Sequence, residues 1–308
     1  MLVAQNGITG ANMTSTQTRI SLADVLASAQ LPALPQTAIR LLELSQDASN
    51  GPVEFAKPIE ADAGLMGQVL RFVNSSYFGF AREISSVRQA LQLVGVRTIK
   101  NFALWSAVFS LIPNPKFGPF NLKNLWQDSL RRAVFSRLLG QILKLPNSED
   151  LFAAALLQDM AIPLLLKELP EQYAELVERR GVEHVRLSHL EREVFGWDHA
   201  QAAAALCRSW KLPEEFASII ERHTEFNELI NASPRKLDAA CVALASLLPT
   251  CKDEEWEERD VFVAGLNQLL PNGNVIELLQ QADTAFDEFA PLMNLPVPER
   301  SLAKWMEG

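Results

Sequence analysis

Apolar residues recur at helical spacing along almost the whole chain. Val87, Ala90, Leu91 and Val94 stand at positions i, i+3, i+4 and i+7, and Gly95 follows them as a signal for the end of a helix. Similar stripes recur through the rest of the sequence, whereas no segment shows a convincing alternation of apolar and polar residues typical of a strand. The pattern therefore predicts an all-α fold.

A dense group of helix breakers interrupts this pattern. They occupy four of seven positions, namely Pro113, Pro115, Gly118 and Pro119. Because no continuous helix can hold them, we predict a hinge or boundary between subdomains at this point. The predicted organisation has four parts: a flexible leader over 1–19, an N-terminal helical part over 20–112, a second helical part over 120–225 and a C-terminal helical extension over 226–308.

Composition and charge narrow the class of function. The 308 residues carry a formal net charge of −9, so the surface as a whole does not favour binding of nucleic acid. The three cysteines, Cys207, Cys241 and Cys251, are odd in number and form no C-x-x-C pair. Both features are typical of thiols in a reducing compartment and not of a disulfide framework. The strongly apolar, charge-free stretch 101–115 is too short to span a membrane. We expect a cytoplasmic protein without nucleic-acid or membrane partners.

Two polar features lie inside apolar segments. Gln158 and Asp159 stand near the end of the run FAAALLQDM, where unpaired polar groups cost free energy. His199 opens an alanine-rich helix and His223 lies near the end of the next helix, so the two rings can converge on one point. Two interpretations stay open for these residues: hydrogen-bonded structural groups, or the remnant of a metal site.

A turn rich in aromatic residues offers a second candidate site. Asn74, Tyr77, Phe78 and Arg82 follow one another closely along the chain. Stacking rings beside an arginine are typical of a loop that holds a nucleotide base, and tight packing between helices explains the same residues. We therefore treat this loop as a candidate ligand contact and keep the packing alternative open.

Seven short motifs occur in an order that resembles one protein family. They are LPALPQ at 31–36, NSSYFGF at 74–80, ISSVRQALQLVGVRTIKN at 84–101, LWQDS at 125–129, AALLQDM at 154–160, FGWDHAQAAAAL at 195–206 and WKLPEE at 210–215. As an ordered set they resemble the HDOD (HD-related output domain) family, bacterial signalling domains that descend from the HD phosphohydrolase fold. The resemblance covers about 20–225, implies the multi-helix HDOD fold there, and leaves 226–308 without a matching motif.

The resemblance also implies where an ancestral metal site would lie. Active HD enzymes use an early histidine, an adjacent His-Asp pair and a late aspartate to hold metals that activate water. The matching positions here are Asp128, the pair Gln158–Asp159, a position near Ser246, and His199 and His223, which match extra histidines of two-metal relatives. A neutral glutamine amide binds transition metals weakly beside imidazole. We therefore expect a vestigial site with no catalytic residue, no metal and no cofactor.

These differences from the metal ligands of active HD enzymes favour a non-enzymatic role. We expect a signalling or regulatory output module that binds an unidentified signalling protein, with a small nucleotide as a further candidate ligand. Two alternatives stay open: a degenerate metal-dependent phosphohydrolase that uses Asp128, Asp159, His199 and His223, and a nucleotide sensor that uses the old cleft. The segment AIPLLL after Met160 lacks the Gly-Tyr-Pro signature of cyclic di-GMP phosphodiesterases, so hydrolysis of that dinucleotide is not expected.

Overall fold

The chain folds into helices joined by short connections. The computed structural model describes residues 20–29, 33–118, 120–232 and 236–307, and no strand occurs within these ranges. The prediction of an all-α fold is confirmed. The predicted leader over 1–19 lies outside the described residues. None of the helices in these ranges combines the length and the apolar character needed to cross a bilayer.

Short helices build the N-terminal part. They are α1 (Leu22–Ser28), α2 (Gln36–Ser45), α3 (Pro52–Ala61), α4 (Ala63–Val73), α5 (Val87–Val94) and α6 (Val96–Leu111). Asp62 caps α4, because its Oδ1 accepts a hydrogen bond from the backbone N–H of Leu65 at 3.0 Å. Gly95 separates α5 from α6 with a φ of 95°, a conformation that favours glycine. The end of a helix at this glycine, predicted from the sequence, is confirmed.

The helical path breaks at the predicted prolines. α6 ends at Leu111, and the next helix begins at Leu122, where Asn121 Oδ1 accepts from the backbone N–H of Lys123 at 2.8 Å. The break is therefore real, whereas its role as a hinge stays a prediction; Pro119 itself lies outside the described residues. The second part contains α7 (Leu122–Ile142), α8 (Ser148–Leu157), α9 (Ile162–Glu168), α10 (Pro170–Glu183), α11 (Leu187–Phe195), α12 (His199–Ser209) and α13 (Glu214–Glu221).

The C-terminal extension packs along α7. It comprises α14 (Phe226–Asn231), α15 (Leu237–Ala245), α16 (Arg259–Leu269), α17 (Val275–Phe289), a 3-10 helix (Ala290–Met293) and α18 (Lys304–Glu307). Gln127 Nε2 donates to the carbonyl oxygen of Pro296 at 3.0 Å, and the guanidinium of Arg131 donates to the carbonyl oxygen of Arg300. Both donors are buried residues of α7. Polar side chains inside the protein thus hold the backbone of the extension against α7.

Aromatic rings connect the N-terminal part, α7 and the extension. Phe72 of α4 stacks on Phe102 of α6 with 4.2 Å between ring centroids, and its centroid lies 5.7 Å from that of Phe289 in α17. Phe109 of α6 stacks on Trp126 of α7 at 3.8 Å. Because buried rings contribute large apolar areas, these contacts stabilise the arrangement of all three parts.

Candidate functional site

Three of the residues singled out in the sequence meet inside the protein. Asp159 Oδ1 lies 3.3 Å from His199 Nε2 and 3.4 Å from His223 Nε2, and the two nitrogens are 3.3 Å apart. We call these three atoms the donor triangle. Asp159, His199 and His223 are 3%, 6% and 1% exposed, so the triangle is closed to bulk solvent.

Local structure places each member of the triangle at a helix end. Asp159 follows α8 in the turn before α9, and His223 follows α13. His199 is the first residue of α12 because Asp198 caps that helix: its Oδ1 accepts from the backbone N–H of Gln201 at 3.1 Å, and Gln201 Oε1 accepts from the backbone N–H of Asp198 at 3.1 Å. This reciprocal capping box fixes the start of α12 and hence the position of the His199 ring.

Glu191 and a backbone carbonyl orient the two imidazoles. His199 Nδ1 lies 2.6 Å from Glu191 Oε2, and Glu191 Oε1 accepts from the Tyr173 hydroxyl at 2.6 Å. His223 Nδ1 donates to the carbonyl oxygen of Ile220 at 2.7 Å. With both Nδ1 atoms so engaged, both Nε2 atoms face Asp159. Sequence reasoning missed Glu191, because it lies in the charged segment LEREVF and nothing in the local pattern marks it as fully buried.

Arg132 of α7 neutralises the carboxylate of the triangle. Its guanidinium donates to Asp159 Oδ2, and Gln158 Nε2 lies 3.3 Å from the same oxygen. The Arg132 side chain is only 12% exposed. Gln158 Oε1 is buried and has no hydrogen-bond partner among the described residues. Sequence reasoning also missed Arg132, because the match to the ancestral ligand position was Asp128, one helical turn earlier.

The structure does not bring Asp128 into the triangle. Its Oδ1 accepts from the backbone N–H of Cys251 at 2.7 Å, so the side chain binds the segment between α15 and α16. Burial raises the pKa of Asp128 to about 6, against the charges of Arg132 and Arg131 and the Cys251 hydrogen bond, which lower it. Ser246, the match to the late aspartate, donates through its hydroxyl to the carbonyl oxygen of His223 at 2.8 Å.

Of the three atoms of the triangle, one carries a proton and the other two are acceptors. Burial lowers the pKa of His199, but the charge of Glu191 and the hydrogen bonds to Asp159 and Glu191 raise it to about 10. Burial lowers the pKa of His223, which is neutral with its proton on Nδ1. Burial also raises the pKa of Asp159, but Arg132 and the two histidines outweigh this effect and hold it well below its usual range. The Nε2–H of His199 therefore has two acceptors at equal distance, Asp159 Oδ1 and His223 Nε2.

The donor triangle has the spacing of ligands around one metal ion, but its surroundings do not fit the two-metal centre of an HD hydrolase. Ligands about 2.1 Å from a tetrahedral cation lie about 3.4 Å apart, so the spacing of the triangle suits one cation that displaces the shared proton. A two-metal centre does not fit, because Arg132 holds the second oxygen of Asp159 and Gln158 offers an amide where the active enzymes have a histidine. The burial of all three donors also leaves no open position for a phosphate ester.

The candidate ligand loop lies apart from the triangle and is bound within the fold. Asn74 Nδ2 donates to the carbonyl oxygen of Ile84 at 2.8 Å, and Asn74 Oδ1 accepts from the backbone N–H of Ile84 at 2.7 Å. The Tyr77 ring packs on Phe289 and lies under the guanidinium of Arg137, while Phe78 meets Phe72 edge to face. Arg82 is exposed. The packing interpretation accounts for three of the four side chains, and ligand contact by this loop stays a prediction.

The chain is similar in sequence and in structure to several known bacterial proteins. A Treponema pallidum (strain Nichols) protein of uncharacterised function is 24% identical over 216 residues, which are 68% of this chain and 40% of that protein. The chain thus spans less than half the length of this relative. Among solved structures, an HDOD domain protein of unknown function from Geobacter sulfurreducens is 22% identical with a TM-score of 0.70, covering 89% of this chain and 98% of that one. A Marinobacter aquaeolei VT8 protein, provisionally described as a signal transduction protein, is 21% identical with a TM-score of 0.66, covering 93% of this chain and 66% of that one.

These two structural likenesses show a shared fold. The family match is more specific, because the HDOD domain matches residues 31–226, which include all three residues of the donor triangle and Arg132. With more than half of the sequence matched, the chain belongs to the HDOD domain family.

Proposed function

We propose that this protein is a non-enzymatic signalling module that acts by binding a partner protein. The observation that carries the proposal is the buried pair of Arg132 and Asp159. A hydrolase of the HD type needs its aspartate free to hold metals, and here a guanidinium holds Oδ2 of that carboxylate. The old catalytic centre then serves as a polar core that fixes α7, α8, α12 and α13 relative to one another.

Membership of the HDOD family supports the signalling part of the proposal. The family resembles HD enzymes in fold, and fold alone does not transfer activity. The partner we propose is a signalling protein, in the cytoplasm, and the role of a small nucleotide as a second ligand is part of the same hypothesis. Neither nucleic acid nor a membrane is a proposed partner, given the net charge of −9.

The rival is a degenerate metal-dependent phosphohydrolase, and the spacing of the donor triangle is the observation in its favour. One metal held by three donors is able to activate water in principle. Such a metal would lie among side chains that are at most 6% exposed, so a substrate reaches it only if α7 or α12 moves. We therefore rank this function second.

An assay of hydrolysis separates the two functions. The full chain is incubated with p-nitrophenyl phosphate, bis-p-nitrophenyl phosphate and cyclic dinucleotides, with Mn²⁺ and with Mg²⁺. We expect no turnover above buffer. Asp159→Asn serves as the matched control, since it keeps the size of the side chain and removes the charge. Turnover that disappears in Asp159→Asn would replace the proposal with its rival.

Capture of the partner tests the binding role directly. The tagged chain and its Gln158→Ala variant are purified from the native cell, and bound proteins are identified by mass spectrometry. We expect the same signalling protein to copurify with both, because Gln158 is fully buried and a partner on the surface does not contact it. Absence of any specific partner with the wild-type chain counts against the proposal.

A further inference from the structure

A pocket of about 300 Å³ lies where α6, α8 and α13 meet. We call it the Lys100 pocket. Its apolar lining includes Leu104 and Trp105 of α6, Leu157 of α8 and Phe216 of α13. The volume is at the lower end of the range for small-molecule sites. The residues of the donor triangle are not part of its lining, so this is a separate site.

Lys100 brings to this pocket a cation that forms no direct ion pair with the described residues. Its side chain is half-buried, and its ammonium has no hydrogen bond or ion pair with any residue in the described ranges. Asp150 also lines the pocket, but its carboxylate is already in use: Oδ1 accepts from Asn101 Nδ2 at 2.8 Å, and Oδ2 lies 3.8 Å from Arg97. Burial lowers the pKa of Lys100, and the negative charge of Asp150 opposes this effect without reversing it.

The remaining polar groups limit the charge of a ligand. Lys100 is the only basic residue in the lining, which also contains the acids Asp150 and Glu215. A ligand with several phosphates would meet two carboxylates and one ammonium, so a single negative charge fits better. The indole N–H of Trp105 has no acceptor among the described residues, which makes it a second donor at the pocket.

We propose that the Lys100 pocket binds a small amphipathic monoanion, a carboxylic acid with an aromatic or aliphatic body, and that Lys100 takes the carboxylate. The apolar lining receives the body of the ligand, and the half-buried ammonium gains a direct ion pair. Since α6 belongs to the N-terminal part and α8 and α13 to the second part, the ligand bridges the two. This proposal does not depend on the absence of enzymatic activity.

Binding of two matched probes to the full chain tests the charge requirement. 1-Naphthylacetate carries the carboxylate, and 1-naphthylacetamide has the same ring without the charge. We expect saturable binding of the acid by isothermal titration calorimetry, at least about tenfold tighter than the amide, with a matching rise in the melting temperature. Equal affinity for acid and amide, or no saturable binding of the acid, overturns the proposal.

Variants locate the site. Lys100→Gln should weaken the acid about tenfold and leave the amide unchanged, whereas Lys57→Gln, an exposed lysine of α3, should change neither. Ala153→Leu places extra carbons in the lining and should weaken both probes. Circular dichroism and melting curves verify that each variant is folded. Acid binding that survives Lys100→Gln or Ala153→Leu at full strength places the ligand elsewhere and overturns the proposal.

Discussion

Arg132 and Asp159 form an ion pair across α7 and the turn after α8, and both side chains are almost removed from solvent. In the resemblance to HD enzymes, Asp159 matches a carboxylate that holds metal. The role of the pair is electrostatic, because Arg132 lets Asp159 stay ionised beside a protonated His199. These four charged side chains form two compensated pairs: Arg132 with Asp159, and His199 with Glu191.

Breaking the Arg132 pair should destabilise the fold strongly. Arg132→Met leaves Asp159 buried without its cation, and removal of one partner of a buried pair costs about 3–5 kcal/mol of the free energy of unfolding. Arg88→Met is the matched control, because Arg88 pairs with Glu60 at the surface and should change stability by less than about 1 kcal/mol. Chemical denaturation measures both.

A double-mutant cycle separates the pair from other effects. Arg132→Met combined with Asp159→Asn should be more stable than the sum of the single changes predicts, since no unpaired charge is left. If the two single effects simply add, the two residues do not depend on each other and the electrostatic argument fails.

The helices could be predicted well from the sequence, whereas the hydrogen bonds and ion pairs of the site could be predicted only in part. Periodicity and helix signals such as Asp62 and Gly95 act locally, so they can be read from a few neighbouring residues. Asp159, His199 and His223 were found because polar groups in apolar runs stand out. Arg132 and Glu191 escaped notice, since a charged residue on a helix looks the same in sequence whether it faces water or a buried partner.

Sequence patterns also could not predict where the side chain of Asp128 points. Motif spacing placed it at an old ligand position, and the structure turns it toward the backbone of Cys251. That contact joins residues more than a hundred positions apart, and no local pattern encodes it. The resemblance assigns positions along the chain, whereas the direction of the Asp128 side chain on α7 depends on the C-terminal extension, for which no motif was available.

The purified protein should contain no stoichiometric metal. The shared proton of the triangle and the pairing of Asp159 with Arg132 compete with a cation for the same groups. Elemental analysis should find Fe, Mn and Zn well below one atom per chain. One atom or more per chain, lost in Asp159→Asn, would show that the triangle is a metal site. Addition of Zn²⁺ at neutral pH offers a second check, because binding at His199 must release a proton.

Trp126→Ala should cost about 3–5 kcal/mol of the free energy of unfolding. Trp126 is 8% exposed and stacks on Phe109, so its removal leaves a cavity between α6 and α7. Partner binding should be lost with the fold. Val182→Ala removes an apolar side chain that is 75% exposed and should have almost no effect. A Trp126→Ala variant with unchanged stability would show that the stacked pair does not hold the two parts together.

Asp128 should make the protein less stable as the pH rises from about 4 to about 6. Its pKa is 3.8 in the reference state and about 6 in the fold, because burial disfavours the charged form. The folded state therefore binds the proton more tightly, the stabilising contribution is complete below about pH 4, and it is lost as the pH passes through 6. The difference between the two pKa values corresponds to about 3 kcal/mol.

Asp128→Asn keeps an acceptor for the Cys251 N–H and cannot ionise. The stability of the variant relative to the wild type should rise between pH 4 and pH 7 in urea unfolding experiments. A difference that stays constant over this range would mean that Asp128 keeps an ordinary pKa in the fold.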